Sequence, residues 1–323
     1  MEAIRDIPYE MGENYCLYNG DCVEVLSGLP DDSIDFSVFS PPFANLYIYS
    51  DDIRDMGNCK NIDEFLKQYA YLTEQLYRVI RVGRLVAVHC KQIVKYKGRD
   101  GVAGWQDFRG DLIRHYEAHG FTYHSEVVIW TDPVLEMQKT KTQRLLYKQL
   151  RHDASHTGIG MPEYLLIFRK WDEKREDQEI AIRHYKDAEE CKKDGGDERQ
   201  IMDLPAWQRY ASPVWFDIKR TDVLNARIAR DDRDEKHLCP LQLTVIERAI
   251  QLWSNPGDVV LTPFMGIGSE AYMAVKMGRK AVGVELKESY FRQAVANVEE
   301  AGRREPDLLD LLNASADGAA AGM

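Results

Sequence analysis

The sequence predicts an α/β fold in which helices cover both faces of a doubly wound, mostly parallel sheet. Apolar runs of strand length alternate with amphipathic helical patterns, as at 34–39, 62–80 and 85–88. A glycine-rich loop joins a strand at 258–261 to a helix that begins near Ser269. The chain has 323 residues, 44% of them hydrophobic, which suffices for a substantial core.

Composition and charge exclude several classes of protein. No window approaches the length of a membrane span, and the first twenty residues lack an apolar targeting segment, so we expect a cytoplasmic location. The six cysteines are scattered without paired spacing, which indicates reduced thiols and predicts no metal site. The net charge of −11 argues mildly against polyanionic partners but leaves room for a local basic cleft.

The first strand, at 15–18, runs into a turn at Asn19, Gly20 and Asp21 that caps a helix beginning near Cys22. Asp21 therefore faces the edge of the sheet where open α/β folds bind ligands. Two roles remain open for it, helix N-cap and ligand contact.

The buried strand at 34–39 leads into the tetrapeptide Ser40-Pro41-Pro42-Phe43. Two prolines stiffen this loop and leave carbonyl oxygens without competing N–H groups. The Ser40 hydroxyl adds an acceptor, and Phe43 adds an aromatic face. This set suits a planar base that bears an amino group, although a rigid turn with no ligand explains the same string. We expect 44–60 to be a mobile loop on the substrate side.

The middle of the chain continues the alternation of helices and strands. Its predicted elements are a helix at 62–80 with a capping box at Asn61, a strand at 85–88, a helix at 107–118, and strands at 123–130 and 164–168. His89 follows the strand at 85–88, and we interpret it as a packed or loop-bonded histidine because no partner histidines stand at metal-ligand spacing.

A basic stretch at 134–156 interrupts the acidic average, and phosphate contact explains it better than a solvated helix face because acidic partners are nearly absent. The cations expected to contact DNA are Lys139, Arg144, Lys148 and Arg151. Residues 171–200 have the composition of a charged connector. Residues 201–235 mix aromatic and basic side chains, which is typical either of a small recognition module or of a packed subdomain.

The C-terminal part contains a pattern typical of nucleoside cofactor sites. A helix at 241–253 precedes the strand at 258–261 and the glycine loop, in which Gly266 and Gly268 permit close backbone approach to a ligand. The following strand, at 280–285, ends in Glu285, placed to accept hydrogen bonds from a ribose diol. NAD is an alternative ligand, but only a helix at 288–300 and a short tail remain after the acid, too little for a second dinucleotide half.

Together these motifs resemble the amino-methylating DNA methyltransferases of the permuted β class, in which the catalytic tetrapeptide comes first and the cofactor loop last. The resemblance implies a circularly permuted, Rossmann-like methyltransferase domain at 1–170 and 236–302, a target-recognition region or connector at 171–235, and a disordered tail at 303–323. It implies S-adenosyl-L-methionine as cofactor and a catalytic loop of Ser40, Pro41, Pro42 and Phe43. The implied cofactor residues are Asp21, Lys236, His237, Leu241, Pro263, Phe264, Gly266, Gly268, Ser269 and Glu285. Thr262 departs from the family pattern, which has Asp before Pro-Phe.

The resemblance also implies a reaction, methylation of the exocyclic amino group of a base flipped out of duplex DNA. Its blocks look most like solitary prophage-type methylases, which favours adenine N6 over cytosine N4 by a narrow margin. Whether the protein forms a homodimer or is paired with a cognate restriction nuclease is left open, and no membrane partner is expected. Two more distant alternatives are a nicotinamide oxidoreductase and a non-catalytic DNA-binding module.

Overall fold

The structure is a computed structural model that describes residues 6–42, 54–140, 147–155, 158–172, 182, 185–186, 188–193, 202–224 and 240–303. Phe43, most of the predicted loop at 44–60, Arg144, Lys236, His237 and the tail beyond 303 lie outside the described residues. Among the described helices, none combines the length and the apolar composition that a membrane crossing requires.

The strands of the main sheet come from both ends of the chain. They are β1 (Tyr9–Met11), β2 (Tyr15–Asn19), β3 (Ile34–Phe39), β4 (Ile80–Lys91), β7 (Phe121–Ile129), β8 (Glu163–Lys170), β9 (Val214–Trp215), β10 (Val259–Thr262) and β11 (Lys280–Glu285). Two further strands, β5 (Ile93–Lys95) and β6 (Gly104–Gln106), form a separate antiparallel pair.

Helices connect the strands. They are α1 (Cys22–Ser27), α2 (Ile62–Val79), α3 (Lys97–Asp100), α4 (Phe108–Ala118), α5 (Pro133–Thr140), α6 (Tyr147–His152), α7 (Ala188–Lys193), α8 (Leu204–Tyr210), α9 (Leu243–Trp253), α10 (Ser269–Lys276) and α11 (Glu288–Gly302). Several begin where the sequence places a capping residue. The Asn61 side chain accepts from the Glu64 N–H at the start of α2, and Asp107 caps α4 through the Gly110 N–H.

The order of the main sheet is β1-β2-β11-β10-β3-β4-β8-β7-β9. Because β10 lies between β11 and β3, strands from the C-terminal part complete the sheet begun by the N-terminal part. Parallel pairing of β3 with β10 brings the loops that follow these two strands to the same edge.

Side chains alternate across the sheet and bury two apolar layers. On one face, Phe39 and Phe168 pack with α1, α2 and α4. On the other face, Phe36, Val38 and Ile167 pack with α9, α10 and α11. Every residue of β3 is buried, as expected for a central strand covered on both faces.

The predicted fold class, with a mostly parallel sheet, is confirmed. Antiparallel pairing occurs where β8 pairs with β4 and β7, and where β1 pairs with β2. The chain between β7 and β8, which includes α5 and α6, reverses direction, so that β8 runs antiparallel to β7. Within the region at 201–235, β9 pairs with β7 and Trp215 is buried, so this part packs against the sheet.

Candidate active site

Two loops meet at the carboxyl edge of the central strands. Ser40 follows β3, and Pro263 follows β10, its neighbour in the sheet. The rings of Phe39 and Phe264 have centroids 5.9 Å apart, so the two loops pack against each other at their bases. Pro41 and Pro263 are buried, whereas Ser40 is half-buried. The structure therefore brings the predicted catalytic loop and the predicted cofactor loop together.

The Ser40 hydroxyl has a histidine partner. Its Oγ lies 2.9 Å from Nδ1 of His89, and His89 Nε2 lies 3.3 Å from Oε2 of Glu163. The sheet register explains the contact, since Phe39 pairs with Val88 and the next residue on each strand follows in step. His89 and Glu163 are both buried. A serine, a histidine and a carboxylate thus form a continuous chain beneath the loop.

Two cations and a second carboxylate surround Glu163. Lys91 Nζ lies 2.8 Å from Oε1 of Glu136, and Arg220 Nη2 lies 2.5 Å from the same oxygen. Both cations also lie 3.7 Å from Oε1 of Glu163. Two buried carboxylates therefore face two cations, which balances charge in a region where an isolated charge is costly.

These neighbours keep both carboxylates ionised. Burial by itself raises the pKa of Glu163, but the hydrogen bond and the electrostatic interaction with His89, together with the charges of Lys91 and Arg220, outweigh it and lower the pKa to about 2. Burial opposes ionisation of Glu136 as well, yet Lys91 and Arg220 hold its pKa below the ordinary value.

The glycine loop has the conformation that the sequence predicts. Gly266 has φ of 54° and Gly268 has φ of 86°, both in the left-handed region that favours glycine. A Cβ at Gly266 would meet no described atom within 4 Å, so its backbone borders open space where a ligand can approach. At Gly268 a Cβ would lie 3.0 Å from that of Ala294, so this glycine permits close packing of the loop on α11.

Glu285 fastens the end of β11 to the glycine loop. Its carboxylate accepts the Gly266 N–H at 2.8 Å through Oε2 and the Lys287 N–H at 2.9 Å through Oε1. Burial of the carboxyl group raises its pKa to about 7, although the N–H groups of Lys287 and Gly266 act in the opposite direction.

The residues present fit a nucleoside cofactor that carries a polar tail. The hydroxyls of Thr262 and Ser269 are buried and have no hydrogen-bond partner among the described residues. Both residues flank the glycine loop, so two buried hydroxyl groups are available there to hydrogen-bond with a ligand. Glu270 follows Ser269 at the start of α10, where it is buried, and burial raises its pKa to about 8. Thr262, where the family pattern has Asp, thus supplies a neutral hydroxyl just before the glycine loop.

Asp21 performs the capping role that the sequence left open. Its Oδ1 accepts from the N–H groups of Val23 and Glu24 at 2.9 and 3.0 Å. It also borders an open pocket of about 320 Å³ lined in part by Arg54 and Tyr71. Contact with a cofactor stays a prediction for this residue.

The remaining predicted residues are dispersed. Leu241 is buried in the apolar layer that contains Phe36, Val38 and Ile167. Lys148 and Arg151 are exposed on α6. Lys139 lies in α5, where the structure describes only its backbone. Sequence reasoning missed Glu163, Glu136 and Arg220, which show no motif. The only signal for His89 in the sequence was its place at the exit of a predicted strand.

The fold and the site define a class of protein, the methyltransferases that hold S-adenosylmethionine at the carboxyl edge of an α/β sheet. The model of the DNA methylase family for N6 and N4 methylation matches residues 4–296. The chain belongs to this family. The match confirms the expected family.

The similar proteins agree with that membership. The chain is 27% identical to the type II methyltransferase M.BglII of Bacillus subtilis over 85% of its own length and 66% of the relative. It is 26% identical to the orphan methyltransferase M.BamHII of Bacillus amyloliquefaciens, over 80% of the chain and 86% of the relative. The chain therefore spans just under two thirds of the first of these relatives.

Two solved structures share the fold. One is a Thermus thermophilus protein assigned as a DNA modification methylase and solved with S-adenosyl-L-methionine, at TM-score 0.61 and 21% identity over 90% of this chain and 95% of that one. The other is the cytosine-N4-specific PvuII DNA methyltransferase, at TM-score 0.54 and 16% identity over 89% and 87%.

Proposed function

We propose that this protein transfers a methyl group from S-adenosyl-L-methionine to the exocyclic amino group of a base in duplex DNA. One observation carries the proposal. Parallel pairing of β3 with β10 places the Ser40 loop beside the glycine loop, so an acceptor for an amino group adjoins a cradle for the cofactor. Family membership supports the same reaction.

Each loop has a distinct task in this reaction. S-adenosylmethionine supplies an electrophilic methyl group when it is bound. Gly266 allows the loop to approach the cofactor closely, and Glu285 accepts hydrogen bonds from its ribose. Thr262, Ser269 and Glu270 stand where its polar tail is expected, and Asp21 where its adenine is expected.

The amino group needs activation because its lone pair is delocalised into the aromatic ring. The Ser40 hydroxyl and the Pro41 carbonyl accept its two hydrogens, which pyramidalises the nitrogen and directs its lone pair at the methyl group. No covalent intermediate with the protein is needed. The target base has to leave the duplex to reach this site, and Phe43 is the residue proposed to stack on it.

The proposed target is adenine N6, with cytosine N4 as the alternative. Adenine is retained because the blocks around Phe43 and His89 look like those of solitary prophage-type methylases, among which adenine modification is more frequent. Cytosine N4 is kept as the alternative because the fold is similar to that of a cytosine-N4-specific enzyme. Both amino groups need the same two acceptors, so nucleoside chemistry has to decide between them.

DNA contact is proposed for two regions. Lys148 and Arg151 are exposed cations on α6, and Lys139 and Arg144 belong to the same basic stretch. The region 171–235 is proposed to recognise the target sequence. Two of its residues have structural contacts instead, since Trp215 is buried against the sheet and Arg220 is paired with Glu136. The domain boundaries given above are part of this proposal.

A variant of Ser40 tests the function. Ser40→Ala should abolish methyl transfer to DNA while calorimetric affinity for S-adenosylmethionine stays close to that of the unaltered protein. Ser27→Ala, which removes an exposed hydroxyl at the end of α1, is the matched control and should retain activity. Equal activity of Ser40→Ala and Ser27→Ala would contradict the assigned role.

A further inference from the structure

The proposed methyl transfer releases a proton, and the residues assigned so far do not receive it. When the N–CH₃ bond forms, the S–CH₃ bond breaks and its electron pair stays on sulfur. The nitrogen then carries one hydrogen too many and a positive charge. Neither the Pro41 carbonyl nor Phe43 is basic enough to accept a proton.

The chain from Ser40 through His89 to Glu163 offers a path for that proton. Ser40 Oγ and His89 Nδ1 are 2.9 Å apart, and His89 Nε2 lies 3.3 Å from Glu163. An ionised carboxylate only accepts hydrogen bonds, so Glu163 selects the imidazole tautomer that carries hydrogen on Nε2. His89 Nδ1 is then an acceptor, and the Ser40 hydroxyl donates to it.

This arrangement leaves the lone pairs of Ser40 free to accept a hydrogen of the target amino group. With the opposite tautomer, Nδ1–H would occupy one of those lone pairs. The orientation of Ser40 as an acceptor thus depends on Glu163, two hydrogen bonds away.

We propose that His89 positions the Ser40 hydroxyl and takes, through it, the proton that the methylated amino group releases. The N–H bond breaks and its electron pair returns to nitrogen. The proton passes to Ser40 Oγ as the hydroxyl proton of Ser40 moves to His89 Nδ1, which yields an imidazolium paired with the Glu163 carboxylate. This inference rests on the proposed function.

The surroundings of His89 suit this role. Glu163 on β8 faces the imidazole directly, and Lys91, Glu136 and Arg220 complete the cluster from β4, α5 and the segment after β9. The two carboxylates and two cations balance, so an imidazolium beside Glu163 adds one positive charge. That charge replaces the one lost from the sulfonium, and the net charge of the site is conserved through the reaction.

The test compares His89→Gln with His124→Gln. His124 is an exposed histidine of the same sheet whose Nδ1 also lies 2.9 Å from a serine hydroxyl, that of Ser125, so it is a matched control. Single-turnover methyl transfer is measured from pH 5 to 8 with saturating S-adenosylmethionine and DNA. Thermal unfolding and calorimetric cofactor binding report whether each variant is folded.

In the unaltered protein and in His124→Gln, we expect the rate to rise with pH, because only a neutral His89 can accept the proton from Ser40. His89→Gln should lower the rate by about 10²-fold and lose that rise. Glu163→Gln, a second variant in case His89→Gln does not fold, should move the rise to lower pH because the imidazolium loses its carboxylate.

A spectroscopic measurement is independent of activity. Nitrogen NMR shifts of histidine-labelled protein should show His89 as the Nε2–H tautomer. A rate and pH profile of His89→Gln equal to those of His124→Gln, an unmoved profile in Glu163→Gln, or an Nδ1–H tautomer would overturn the proposal. If the unaltered protein methylated no DNA, the proposed function would fail first, and this inference with it.

Discussion

The acid at the end of β11 predicts how cofactor affinity depends on pH. Both oxygens of Glu285 can accept hydrogen bonds from a ribose diol only when the carboxyl group is ionised, and its pKa is raised to about 7 by burial. If the ionised form alone binds tightly, the fraction competent at pH 6 is about one tenth, and at pH 8 about nine tenths. Affinity for S-adenosylmethionine should therefore rise about tenfold between these pH values, equivalent to about 1.4 kcal/mol.

Calorimetric titration at pH 6, 7 and 8 measures this rise. Glu285→Gln is the control, because a neutral amide keeps the size of the side chain and removes its titration. The variant should bind more weakly at pH 8 and show a flatter profile, and any titration of the ligand itself is common to both proteins. Affinity that does not change from pH 6 to 8, or an identical slope in Glu285→Gln, would refute the reasoning.

Three further predictions concern packing, DNA contact and stability. Gly268→Ala should destabilise the fold by about 2 to 4 kcal/mol, measured by chemical denaturation, because the new Cβ meets Ala294 at 3.0 Å with φ at 86°; unchanged stability would contradict the packing role. Lys148→Ala and Arg151→Ala should each weaken binding to all DNA sequences and flatten the salt dependence by about one unit of slope; unaltered slopes would return α6 to a solvated helix. The pKa of Glu270 is about 8 in the folded protein and 4.5 in the unfolded chain, so the folded state binds this proton more tightly. The free energy of unfolding should therefore fall as pH rises from 4.5 to about 8. Glu270→Gln should lack this fall, and equal thermal midpoints of both proteins from pH 5 to 8 would show the assignment to be mistaken.

Elements with strong local patterns were predictable from the sequence. The strand predicted at 34–39 is β3 residue for residue, and the helix predicted at 62–80 ends one residue early. Apolar periodicity and side-chain caps are local properties, which is why they suffice there. The glycine loop and Glu285 were likewise found because their spacing reflects a continuous strand, loop and helix.

Features that depend on distant pairing were not predictable. The strand β9 has two residues and forms because β7 lies beside it. His89 was expected to be a packed or loop-bonded histidine, and a single sequence cannot show that its bond goes to Ser40, 49 positions away. The partners of Glu163 come from β4 and from the segment after β9, so the ion cluster exists only once the sheet has formed.

The central claim is that this chain methylates an amino group of DNA through the Ser40 loop. DNA from cells that express the unaltered protein or Ser40→Ala should be digested to nucleosides and analysed by mass spectrometry. We expect N6-methyladenine with the unaltered protein and none above background with Ser40→Ala. N4-methylcytosine in its place would correct the target base, whereas no modified base at all, or equal modification by both proteins, would contradict the account.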